Sequence, residues 1–174
     1  CREIARRFNS LYGEVFPEPQ ALTSRLPRVP GTDGRKMSKS YGNAVNLADP
    51  LPQTRQKILK MVTDPARKTR KDPGNPDVCP VYDLHKAFSD RATIDLVGAE
   101  CRCAGIGCID CKNHLLRHLE PVLQPIQERR ARLQQDRGRV RDILAEGARR
   151  ARAEAALTME KVRAAMRIDT RPPE

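Results

Sequence analysis

Lys36, Ser38, Lys39 and Ser40 place two ammonium groups and two hydroxyls within five consecutive residues, Lys36-Met-Ser-Lys-Ser40. The turn signals Pro30-Gly31 and Asp33-Gly34 stand just before them, so the stretch reads as a loop. Two mobile cations at one point suit a triphosphate from which pyrophosphate is leaving. Lys is apt because its ammonium is a compact charge on a flexible stem that can follow charge as it moves. Fixed positive charge aimed at a developing phosphate charge contributes on the order of 3–4 kcal/mol per good donor. The bland alternative is a solvated basic loop in a basic protein.

The second candidate site is a set of thiols. Six cysteines stand in the chain, at positions 1, 79, 101, 103, 108 and 111. Cys108-Ile-Asp-Cys111 has the two-residue gap that lets two sulfurs reach one centre, and Cys101, Cys103 and Cys79 lie upstream of it. Gly105 and Gly107 permit the tight turns of a wrapping loop. Four thiolates suit a tetrahedral zinc ion or a [4Fe–4S] cluster, and free thiols remain the third reading. The absence of a second C-x-x-C pair argues against an ordinary zinc ribbon.

The elements that must hold these groups are mostly helical. The 174 residues include 3% aromatics, no Trp and 32% charged residues, with apolar content carried by aliphatic side chains in helical spacing. Helices are expected over Glu3–Tyr12 (with Ile4, Phe8, Leu11 and Tyr12 on one face), over about Thr54–Val62 with Thr54 as cap, and over Asp83–Phe88. A helix over 115–119 should run into Pro121. A long one over 122–152 should carry the stripe Val122, Ile126, Leu133, Val140 and Leu144, with a bend at Gly138 or Gly147. A last short helix should start from a Thr158 cap. Residues 21–29 hold one short strand in this reading, Asn43–Leu47 a brief extension, and four prolines keep 63–80 irregular.

Charge narrows the partners. Lys and Arg number 33 against 22 Asp and Glu, a net charge of +11. Residues 127–152 alone carry nine Arg against four acids, which fits a polyanion such as RNA or else a solvated helix held by pairs such as Asp136–Arg139 and Glu146–Arg150. No apolar run approaches the ~20 residues of a membrane span, and a cytoplasmic protein is expected.

Chance should produce the five-residue lysine motif in a chain of this length roughly once in ten thousand sequences. It resembles the KMSKS signature of class I aminoacyl-tRNA synthetases, and the wider Gly31-Thr-Asp-Gly-Arg-Lys-Met-Ser-Lys-Ser-Tyr-Gly-Asn43 resembles the tryptophanyl and tyrosyl branch. Val62-Thr-Asp-Pro65, Asp83-Leu-His-Lys-Ala-Phe-Ser89, Pro125-Ile-Gln-Glu-Arg-Arg130 and Thr158-Met-Glu-Lys-Val-Arg163 are similar to later segments of the tryptophanyl enzymes. Some bacterial members carry a C-x22-C-x6-C-x2-C set for [4Fe–4S]. Here Cys101, Cys108 and Cys111 keep the last two gaps, while Cys79 to Cys101 is one residue short.

The resemblance implies a mainly α chain. Residues 1–49 would be the tail of a Rossmann-like catalytic domain carrying the KMSKS loop, and 50–174 a helical anticodon-binding domain holding the cysteine cluster (79–111). It implies Lys36 and Lys39 as catalytic groups, and Lys36, Met37, Ser38, Lys39 and Ser40 as an ATP site, with Mg2+ accompanying the ATP. Cys79, Cys101, Cys108 and Cys111 would ligate a [4Fe–4S] cluster, or Zn2+, with Cys103 the alternative to Cys101. Arg129, Arg130 and Arg137 would contact tRNA(Trp). The His-Ile-Gly-His signature is missing, and His114-Leu-Leu-Arg-His118 lacks its glycine. The chain, which begins at Cys1, therefore reads as a fragment of a homodimeric ligase whose tryptophan pocket lies in an absent N-terminal half, inactive in activation by itself. A tyrosyl enzyme and a non-catalytic RNA-binding iron–sulfur module are the rival readings.

Overall fold

A computed structural model of the chain describes residues 1–23 and 27–168. Helices dominate: α1 (Arg2–Tyr12), α2 (Leu51–Lys60), α3 (Pro80–Phe88), α4 (Arg91–Arg102), α5 (Cys108–Gln135) and α6 (Arg137–Met166). Single 3-10 turns form at Lys39–Tyr41 and Pro76–Val78. The β structure among the described residues is one antiparallel bridge, Pro30 to Lys36. The strand expected over 21–29 falls partly on residues 24–26, outside the described residues, and the extension at 43–47 forms no strand.

The chain divides into two compact units, one of Cys1–Leu22 with Leu133–Glu174 and one of Thr23–Arg132. In the first, the return from α1 is held by Asn9. Its Nδ2 donates to Phe16 O at 2.7 Å, and its Oδ1 accepts from the amides of Val15 and Phe16. Phe8 packs its ring against both Tyr12 and Phe16, while Ile4 and Leu11, expected to face inward with it, are exposed. α6 starts at Asp136, whose Oδ1 accepts from the Arg139 amide at 2.8 Å. Asp136 is thus a helix cap and not the side-chain partner of Arg139, since capping satisfies an amide that has no intrahelical acceptor. Glu146 does pair with Arg149 and Arg150.

The second unit contains a core of Ile58, Met61, Cys79, Val81, Leu84, Leu115, Leu116, Leu119 and Leu123. Each large aliphatic side chain buried there contributes about 1.5–3 kcal/mol. Its demands override several local signals. α5 runs straight through Pro121 and Pro125, although each proline removes a helical hydrogen bond, because Leu115, Leu116, Leu119 and Leu123 on its inner face are buried. The expected stripe is therefore corrected, with Val122 and Ile126 exposed. The long helix breaks at Asp136 and not at either glycine, and Thr158 lies inside α6 and caps nothing. Thr54 likewise lies within α2, fully buried, with its hydroxyl on the Asp49 carbonyl at 3.4 Å. Val62, the end of the helix expected here, lies beyond α2 and is exposed. α4 was not expected at all, although Asp90 caps it through the Thr93 amide at 2.7 Å.

Candidate functional site

The lysine motif sits on a small braced loop. Its entry is a hairpin-like turn: the Gly31 amide donates to Arg35 O at 2.7 Å, the Gly34 amide to Gly31 O at 3.0 Å and the Met37 amide to Val29 O at 2.9 Å. Gly34 has φ 81, the left-handed region that glycine occupies without penalty. The exit is the 3-10 turn Lys39–Tyr41, closed by Gly42 at φ 66. Lys36, Lys39 and Ser40 are exposed, and Met37 and Ser38 are half-buried. Ser38 and Ser40 share a hydroxyl–hydroxyl hydrogen bond at 2.8 Å. Among the described residues, no ion pair or hydrogen bond engages either ammonium.

Other charges of the loop are committed. Arg35 pairs with Asp33 through Nη2 at 2.7 Å and lies 4.8 Å from the Tyr41 ring centre. Hydrogen bonds from Asn43 first, and then from Arg35, hold the Asp33 carboxyl below the usual range. Asn43, 2% exposed, was not singled out in the sequence and stands at the centre of this network. The loop is tied to the unit's core at two further points. The Val62 amide donates to Thr32 O at 2.9 Å, and Lys57 at the far side of α2 donates to Ala44 O at 2.9 Å and Asp49 Oδ2 at 2.6 Å. Burial pulls the Asp49 pKa up, but hydrogen bonds from Lys57 and Asn46 outweigh that and hold it low.

The cysteines meet at a corner where three elements converge. Cys79 precedes α3, Cys101 lies in the last turn of α4, and Cys108 and Cys111 lie in the first turn of α5. Burial pushes the Cys111 thiol up to about 12, with further upward pressure from Cys79, Cys101 and Cys108. Cys101 is raised by burial and then by Cys79 and Cys108, against the pull of Arg67. Cys103 is exposed and turned to Glu100 O at 3.6 Å, so Cys101 is the one of the two that shares the neighbourhood. No group of three or more His, Cys, Asp or Glu side chains among the described residues is arranged to hold a metal ion.

Two buried cations line this corner, and neither was expected. Arg67 is 9% exposed, donates to Arg70 O, Ile106 O and, at 3.9 Å, to Cys101 Sγ, and leaves its Nε buried without a partner. Lys112, 5% exposed, donates to Leu59 O at 2.9 Å and Met61 O at 2.6 Å, satisfying carbonyls at the end of α2 that a helix cannot satisfy itself. His85 is fully buried beside Cys111, its ring nitrogens 2.7 Å from Ser89 Oγ and 3.1 Å from Cys111 O. Burial pushes its pKa down to about 4.

Arg129 and Arg130 are exposed on α5, and Arg137 is exposed at the start of α6. His118 bonds Thr93 Oγ1 at 3.0 Å. No helix among the described residues is long and apolar enough to cross a membrane.

Residues 1–124 match the family described as tRNA synthetases class I (W and Y). The chain is 49% identical over 168 residues to a tryptophan–tRNA ligase of Aquifex aeolicus, covering 96% of this chain and 42% of that one. To a tryptophan–tRNA ligase of Thermotoga maritima it is 52% identical over 168 residues, covering 96% and 51%. Among solved structures it resembles tryptophanyl-tRNA synthetase from Campylobacter jejuni complexed with ADP and tryptophan, with TM-score 0.70 and 28% identity over 95% of this chain and 51% of that one. The chain spans about half the length of the curated relatives it matches.

Proposed function

The chain belongs to the class I tRNA synthetases of the tryptophan and tyrosine family, and from that premise we propose that the full-length protein is a tryptophan–tRNA ligase. ATP and L-tryptophan would give tryptophanyl-adenylate and pyrophosphate, and the tryptophanyl group would then pass to tRNA(Trp) with release of AMP. The relatives' names favour tryptophan over tyrosine. The observation that carries the catalytic role is the lysine loop: two exposed ammonium groups on a scaffold whose neighbouring carboxylate, Asp33, is already held by Arg35 and Asn43.

In this reading Lys36 and Lys39 hold the β- and γ-phosphates, with Mg2+ accompanying ATP. They stabilise negative charge as it moves onto the leaving pyrophosphate, so the chemistry is mostly positioning and electrostatics. Ser38 and Ser40 offer hydroxyl donors, and half-buried Met37 anchors the loop. Residues 1–49 serve as the end of the catalytic domain and 50–174 as the helical domain that meets the anticodon. Arg129, Arg130 and Arg137 there contact RNA phosphates, so affinity should fall steeply with salt. The tryptophan pocket lies in an N-terminal half, and the enzyme is a cytoplasmic homodimer. Tryptophan-dependent pyrophosphate exchange by the full-length protein tests the reading. Exchange that depends on tyrosine instead would return the tyrosyl assignment.

The thiol corner fits an anionic thiolate centre by its donor chemistry. Cys79, Cys101, Cys108 and Cys111 supply four sulfurs, and Arg67 and Lys112 are buried cations beside them that bond to backbone carbonyls. Four thiolates suit a tetrahedral zinc ion as well as a [4Fe–4S] cluster. We favour the cluster on the spacing of Cys101, Cys108 and Cys111, which keeps the C-x6-C-x2-C gaps of the bacterial members that carry one. When bound it would cross-link the start of α3, the end of α4 and the start of α5. A brown anaerobic preparation supports the cluster, and a colourless one containing stoichiometric zinc refutes it.

A further inference from the structure

Asn43 sends three hydrogen bonds into the two halves of the lysine loop. Its Oδ1 accepts from the Ser38 amide at 2.8 Å, and its Nδ2 donates to Asp33 Oδ1 at 2.7 Å and to Lys36 O at 3.3 Å. Its own carbonyl accepts from the Thr32 amide at 2.9 Å. One side chain, 2% exposed, therefore joins the entry hairpin (Asp33, Lys36) to the 3-10 exit (Ser38). The two lysines stand on either side of the groups it holds. Gly31 is pressed against it, since a Cβ at Gly31 would lie 2.3 Å from Asn43 Nδ2.

From this geometry we infer that Asn43 is a positioning residue: it locks residues 31–43 into one rigid plate that presents Lys36 and Lys39 together. The inference rests on the proposed phosphate-holding role of those lysines. The alternative mechanism for such a loop is independent flexing at its glycines. Gly31 and Gly34 do not suit it. Gly31 is jammed against Asn43, and a Cβ at Gly34 would come within 3.2 Å of Pro80 and 3.3 Å of Val62. Gly42, at φ 66 with nothing within 4 Å, is the position with room to move. The plate should therefore swing as a unit.

Reactivity is sensitive to such placement, because a displacement of about 1 Å can cost on the order of a hundredfold. The test uses the full-length enzyme and pyrophosphate exchange. Asn43→Ala is expected to lower kcat by about tenfold to a hundredfold, with KM for ATP and tryptophan within about threefold of wild type. Because Asn43 acts through both lysines, Asn43→Ala combined with Lys39→Ala should lose less than the product of the two single losses, since only Lys36 remains to be misplaced. Gly31→Ala, which removes no hydrogen-bonding group but drives a methyl into Asn43, should reproduce the kcat loss, and it carries the test if Asn43→Ala is too unstable to purify. A kcat for Asn43→Ala or Gly31→Ala near wild type, or losses that multiply in the double variant, would overturn the inference. If Lys39→Ala itself exchanges normally, it is the phosphate-holding role that fails. If Lys39→Ala is slow and Asn43→Ala is not, only the positioning role is lost.

Discussion

Lys36 and Lys39 stand in solvent on a loop braced by other residues, whereas Arg67 and Lys112 are buried at the thiol corner and each donates to two backbone carbonyls. Both regions of the Thr23–Arg132 unit concentrate positive charge, but in opposite states. An exposed ammonium keeps its hydration and its mobility, so it remains available to a ligand that arrives and leaves. A buried one has lost its water, and that loss must be offset by fixed acceptors. The first arrangement suits turnover and the second suits architecture. Charge alone does not distinguish a catalytic lysine from a structural one; its partners do.

The largest effect that would sharpen this contrast is on rate. Lys39→Ala should lower pyrophosphate exchange by 10²-fold or more while leaving the melting temperature unchanged. Rates near wild type would erase the distinction. Lys112→Ala should do the reverse. Two carbonyls at the end of α2 lose their donor, which destabilises the fold by about 1–3 kcal/mol in denaturant titration, with kcat of the surviving folded enzyme close to wild type.

A smaller effect concerns the strap joining the loop to α2. The Asp49 carboxyl is held below its unfolded value, so the stability it lends is complete above about pH 4 and drains away as pH falls through its lower folded value. Asp49→Asn should flatten that acid limb of the stability curve, and an unchanged limb would show that the Lys57 pair contributes nothing. The smallest change is expected on the exposed arginines. Arg130→Ala should weaken RNA binding slightly and reduce the slope of log affinity against log salt by about one. An unaltered slope would return Arg130 to the class of merely solvated charges.

Where local signals were undisputed, the elements followed them. α1 and α3 appear close to their expected bounds, and the proline-rich stretch 63–80 stays irregular apart from one 3-10 turn. Pro121 suggests a helix end, yet four leucines of α5 are buried along the helix that runs through it, and their burial outweighs the missing amide donors of Pro121 and Pro125. α4 carries a local start signal, its cap at Asp90, but Gly98 and the cysteines at its end weaken its helical pattern. No local pattern marks Asn43 as an amide that will be 2% exposed and shared by three loop residues.

The order of residues alone settled what chemistry is on offer: paired ammonium groups in a turn, thiols at 79, 101, 108 and 111, an aliphatic helical body and a basic helix. These depend on residue type and short spacing, which the chain carries without folding. Only the tertiary structure decided that Cys101 and not Cys103 faces the other sulfurs, that Arg67 and Lys112 are interior charges, and that Asn43 joins the two halves of the lysine loop. Those outcomes turn on which distant groups come within a few ångströms of each other and lose their water, and packing of the whole unit sets that.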